Sequence, residues 1–149
     1  MKNLFEAASA AEIIDRIGQL QPDSERQWGS MSAAQMLAHC SAWMEMAAGY
    51  HRPPRGLLGR IVGKMAKKSV LSKQPIRRNM PTEKSLKMTM EKDFAVEQRR
   101  LRDRVQRFST GGPQQCTTHP HSFFGAMTQL EWAQMGYKHL DHHLKQFGV

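Results

Sequence analysis

The chain has 149 residues, room for a single domain (1–149) with one buried core and too little for two. No apolar run reaches the roughly 18 residues of a membrane-spanning helix, and two cysteines, Cys40 and Cys116, without framework spacing point to a reducing cytoplasm rather than a disulfide scaffold. The formal charge is +9, yet residues 51–90 hold eleven Lys/Arg and one acid, and the remaining 11 basic and 12 acidic residues nearly cancel. The basicity belongs to one segment.

The first predicted element covers roughly residues 4–20, with Phe5, Ala8, Ile13, Ile17 and Leu20 recurring at helical spacing. One lysine and an early Glu6 in the first eleven residues mark a helix start, not a targeting peptide. The second helix is predicted over 33–50. Ser32 and Gln35 form a capping box, with Met31 and Met36 as the hydrophobic staple around it. Glu45 is its only ionised side chain, which predicts burial on most faces. Pro53 and Pro54 end it.

A shorter amphipathic stretch follows at 57–68, then the irregular "SKQPIRRNMPTEKS". The third long helix is predicted over about 90–109, with Phe94, Leu101, Val105 and Phe108 as its stripe and Gly111-Gly112-Pro113 as its stop. After a loop containing "THPHSFFG", Thr128 and Glu131 open the last helix, about 129–147, with a second capping box and a Met127/Trp132 staple. The expectation is an all-α four-helix bundle with a short extra helix in the long connection between its second and third helices.

The last helix carries "HLDHH", three histidines in five positions. On an ideal wheel His139 and His143 lie about 40° apart, amid Trp132, Met135 and Phe147, while His142 falls on the margin of the polar arc. On the second helix His39 shares the stripe of Met36, Trp43 and Met46. Each unsatisfied polar group in a core costs about 1–3 kcal/mol, and no acid is placed to satisfy three converging imidazoles. A divalent metal satisfies them: an i, i+4 pair from one helix and a third ligand from a facing helix form a triad. The plainer alternative is that inward histidines are hydrogen-bonded core residues. His119 and His121 read as ordinary polar loop residues or helix-end contacts, His51 as part of the basic segment, and Cys40, about 100° from His39, as a small buried hydrophobe. Cys116 reads as an exposed loop thiol with nothing nearby to activate it.

"WGSMSAAQMLAHC" with "HPHSFFGAMTQLEWAQMGYKHLDHHLKQFG" far downstream resembles the DinB-like superfamily, in one of its bacterial branches of unknown function. That resemblance implies a four-helix bundle, frequently a homodimer, holding a divalent metal, commonly zinc or nickel. By position the ligands it implies are His39, His139 and His143. Relatives in that superfamily include S-transferases using a low-molecular-weight thiol (bacillithiol or mycothiol), a maleylpyruvate isomerase and hydrolases, so it implies a site rather than one reaction.

Three functional classes follow. The first is a metal-dependent enzyme acting on a small molecule by thiol transfer or hydrolysis. The others are a nucleic-acid-binding module using the basic segment and an interaction protein with a structural metal. The basic segment contains no aromatic residue between Tyr50 and Phe94, which disfavours base stacking. Arg52, Arg55, Arg77 and Arg78 are instead expected to line a substrate entrance and attract an anion, with solvated charge throughout as the alternative.

Overall fold

The structure is a computed structural model that describes residues 1–80 and 86–149. Its described residues are all-helical, with five α-helices among them: α1 (Ala7–Gln19), α2 (Ala33–Ala47), α3 (Leu57–Val70), α4 (Phe94–Gly111) and α5 (Gln129–Gln146). A 3-10 turn, Gly112–Gln115, follows α4 directly. Among the described residues there is no strand beyond an isolated antiparallel bridge between His121 and Gly125. No described helix is long and apolar enough to cross a membrane. Part of the predicted irregular connection, residues 81–85, lies outside the described residues.

Local chemistry sets the helix boundaries. Both predicted capping boxes form: Ser32 Oγ accepts from Gln35 N at 3.2 Å, and Thr128 Oγ1 from Glu131 N at 3.1 Å. α4 starts later than its periodicity suggests because Asp93 Oδ1 accepts from Val96 N at 2.9 Å and fixes the start there. α2 stops at Ala47, before the prolines, as Gly49 takes a φ of 80° that glycine adopts freely.

α4 lies against α1 and α2, and α5 lies against the same two helices, so the four close a ring around one core. Met36, Leu37, Met44, Leu101, Val105, Trp132, Leu140 and Leu144 are fully buried there, joined by Leu4 and Ile13 from the N-terminal side. Polar ties hold the ring at its rim. Glu45 of α2 takes Arg100 and Arg104 of α4 at 2.7 and 3.0 Å, and Arg16 of α1 reaches Asp141 of α5 at 2.9 Å. Gln98 Nε2 donates to the carbonyls of Ile17 and Leu20 at the end of α1, where the Ile17 carbonyl also accepts from Leu20 N.

α3 stands outside this ring. Its Leu57, Leu58, Ile61 and Met65 are exposed, and its buried residues are two glycines, Gly59 and Gly63. A Cβ on Gly59 would lie 2.7 Å from the Phe123 carbonyl oxygen, and one on Gly63 would collide with the same atom. The missing side chains therefore let α3 rest on the 121–125 turn. Gly63→Ala is expected to undock α3 although alanine is the better helix former by about 1 kcal/mol. Hydrogen exchange should rise across 57–70, while Lys64→Ala, on the exposed face of the same helix, leaves it unchanged.

Candidate metal centre

His39 projects from the middle of α2, and His139 and His143 project from one face of α5 a single turn apart. Their ring centroids form a nearly equilateral triangle: 5.0 Å (His39–His139), 4.7 Å (His39–His143) and 4.7 Å (His139–His143). One nitrogen from each lies within 4.8 Å of the others, and the Nε2 atoms of His39 and His139 are 3.0 Å apart. Three nitrogens at 2.0–2.1 Å from a tetrahedral ion would be about 3.3 Å apart. The group therefore fits a divalent metal with modest closure.

Hydrogen bonds on the far side of the rings decide which nitrogens face inward. His39 Nδ1 lies 2.9 Å from the carbonyl oxygen of Leu86, which can only accept, so Nδ1 carries the proton and Nε2 keeps its lone pair. The Gln146 amide donates from Nε2 to the Trp28 carbonyl at 2.6 Å, leaving Oε1 to accept from His143 Nδ1 at 2.9 Å. Orienting partners of this kind accompany metal-bound imidazoles. His139 Nδ1, in contrast, is buried without a partner among the described residues.

The electrostatics keep all three rings neutral. Burial holds His39 below its ordinary value, despite the bond to Leu86. His139 lies well below it, through burial first and then the neighbouring His143, His39, His142 and His121. Burial, with His39 beside it, brings His143 to about 3. Neutral imidazoles are the form that binds a cation, and they leave its charge uncompensated. Trp43 stacks on His139 at 5.2 Å and 22°, closing the core side of the site.

The other singled-out residues are dispersed. His142 is half-buried, 5.2 Å from the His143 ring and 5.7 Å from Trp28. Arg77 and Arg78 line a cleft beside His142 and Trp28. Arg52 lines a different pocket with Thr117 and His119, and Arg55 turns back to donate to the Gly59 carbonyl at 3.0 Å. His51 and His119 are exposed, and Cys40 is fully buried with its thiol pushed up by burial.

Two expectations need correction. Cys116 is buried, not an exposed loop thiol, because Thr117 N bonds to the Ala47 carbonyl at 2.8 Å and draws the loop onto the end of α2. Burial raises its thiol to about 11. His121 is likewise no ordinary polar loop residue; it is 4% exposed and packs on Trp132 at 5.1 Å and Phe124 at 4.6 Å. Its Nδ1 accepts from the backbone N–H groups of Phe123 and Phe124, so the proton sits on Nε2, which is buried without a partner among the described residues. Burial pushes this ring to about 4. The sequence misassigns His121 as a polar loop residue and singles out none of Gln146, Trp28 and Leu86. Only the first carried a local signal, a glycine four residues on that closes the turn around its ring.

Neither the curated proteins nor the solved structures include a match to this chain. A family model does match, over residues 2–148, nearly the full sequence that builds the helical ring and supplies all three histidines. On that match the chain belongs to the family described as protein of unknown function, DUF1569.

Proposed function

We propose that the protein is a metal-dependent enzyme acting on a small molecule, built as a four-helix bundle of the DinB-like type. Its metal is one divalent ion, zinc or nickel, held by His39, His139 and His143. Thiol transfer is the first reaction class and hydrolysis the second. The observation that carries the reading is the convergence of three neutral imidazoles whose outer nitrogens, in His39 and His143, are already engaged.

When bound, the ion supplies Lewis acidity, lowering the pKa of a thiol or water and polarising a substrate. Leu86 and Gln146 fix the tautomers of their imidazoles. Trp43 and the buried α2 surface exclude water from the core side, so electrostatic interactions there are less screened. Neither cysteine lies among the three histidines, and burial raises both thiols, so a transferred thiol would come from a separate small molecule.

The experiment is metal analysis of protein purified without chelators, followed by a screen of low-molecular-weight thiols with electrophilic acceptors and of amide substrates. The expected result is close to one divalent ion per chain and turnover that chelation abolishes and the same metal restores. Turnover indifferent to chelation and to His39→Ala would show that the chemistry lies elsewhere.

A further inference from the structure

A cleft of about 640 Å³ opens where residues 27–28 and 75–78 face the last turns of α5. Its volume is within the range of about 300–1,000 Å³ typical of small-molecule sites. Trp28 and Ile76 give it an apolar side; Arg77, Arg78 and Lys145 give it a positive one, with the neutral His142 ring between them and the histidine cluster.

Most of the other charge around the cleft is already engaged. Lys138 Nζ donates to the carbonyls of Val70, Ser72 and Gln74 at 2.6–2.7 Å, and so secures the chain leaving α3. Asp141 is shared between Arg16 at 2.9 Å and Lys145 at 2.8 Å. Arg77 and Arg78 have no carboxylate partner among the described residues. The Arg78 guanidinium lies over the Trp28 ring, 4.1 Å from its centroid, which positions it without neutralising it. Two guanidinium groups lining one cleft, one of them braced on an aromatic face, offer planar donor forks for a carboxylate or phosphate group.

The cleft is also tied to the histidine cluster. His142 lies between them, with its ring near both Trp28 and His143. Gln146 is a second connection: its amide holds His143 Nδ1 and the Trp28 carbonyl, and its own carbonyl accepts from Gln27 N at 2.7 Å. Gln146 thus joins the 27–28 wall of the cleft to the outer nitrogen of His143.

We propose that this cleft is the anion-recognition subsite of the three-histidine centre, seating a small organic substrate by one carboxylate or phosphate group on Arg77 and Arg78. The word subsite rests on the metal-enzyme reading above; the anion preference of the cleft does not. Nucleic acid fits it less well, because Arg78 already covers the Trp28 face that a base would stack on. Occupancy of the cleft and of the metal centre should also be linked, each ligand tightening the other by the same factor.

The test is calorimetric titration of the full chain with succinate and with inorganic phosphate at constant ionic strength, first metal-free and then metal-loaded. The two probes separate a carboxylate preference from a phosphate one. Saturable 1:1 binding of one probe is expected, weakened at least roughly tenfold by Arg77→Gln with Arg78→Gln. The same loss of charge on exposed α3, Arg60→Gln with Lys64→Gln, should leave binding unchanged. Equal weakening by both double variants would reduce the effect to diffuse charge and overturn the proposal. So would failure of both probes to saturate, or duplex DNA binding at physiological salt that only the Arg77/Arg78 variant loses. Anion affinity indifferent to metal in a protein that binds metal would refute the subsite assignment. Failure to bind metal in a direct titration would sink the proposed function and leave the anion cleft standing.

Discussion

Alanine at His39, His139 or His143 is expected to strip the divalent metal from the protein, while His142→Ala leaves most of it bound. Each of the three contributes one nitrogen to a group whose donor atoms lie within 4.8 Å of one another, so each loss leaves at most two ligands. The fall in affinity should exceed the roughly 10–100-fold that removal of an outer orienting partner costs. Gln146→Leu tests that smaller class, since it removes the acceptor of His143 Nδ1 and frees the ring to turn. His142 meets the His143 ring edge-on and lies beside Trp28 in the cleft lining. Competition titration against a chromophoric chelator, with circular dichroism to verify folding, gives the ranking. An essential His142 beside a dispensable His143 would invalidate the assignment of ligands.

Metal-free protein should lose stability steeply as pH falls from 7 to 5. An unfolded-chain histidine takes up a proton near pH 6.5, whereas burial keeps His121 neutral to about 4 and His143 to about 3. Below pH 6.5 the unfolded state therefore binds more protons than the folded one, and stability drops as pH drops. The loss continues until the folded-state values are reached. At pH 5 each of these two histidines contributes roughly 2 kcal/mol to that loss. His39 and His139, also depressed by burial, act in the same direction. Set against a total stability of about 5–15 kcal/mol for an ordinary domain, this is enough to bring unfolding into the mildly acidic range. Urea midpoints at pH 7.5, 6 and 5 in the presence of chelator measure it. Equal midpoints across that range would mean that the four rings are not buried neutral. Added metal should raise the midpoint most at pH 7.5, where protons compete least for the imidazoles.

Two of the helix starts carried by local capping were legible in the sequence, although the Asp93 cap that begins α4 was not. "SMSAAQ" and "TQLE" place the starts of α2 and α5 to the residue, because a capping box is a contact between groups three positions apart. Helical spacing likewise turned His39, His139 and His143 inward, and an inward imidazole needs a partner wherever the helix packs. What spacing could not give was which helix faces which. That α2 and α5 are neighbours, so that His39 meets the pair on α5, follows from burying Trp43, Trp132 and Leu140 together, a sum over the whole core.

Long-range contacts decided the rest. Leu86 fixes the His39 tautomer from 47 residues away, and Gln146 spans 118 residues to reach Trp28. Arg52, Arg55, Arg77 and Arg78 of the basic segment look alike in sequence, yet of these four only Arg77 and Arg78 line the cleft against α5. Lys138 anchors that stretch by the carbonyls after α3, an attachment no pattern announces because any residue supplies a carbonyl. His121 shows the same limit. Its ring is buried against Trp132 of α5 and Phe124, a contact that exists only once the 121–125 turn is packed on α5. Sequence alone thus determined the helices and their inward-facing chemistry. Tertiary structure decided which of those groups share a site, because the free energy that joins them is gained between segments and not within any one of them.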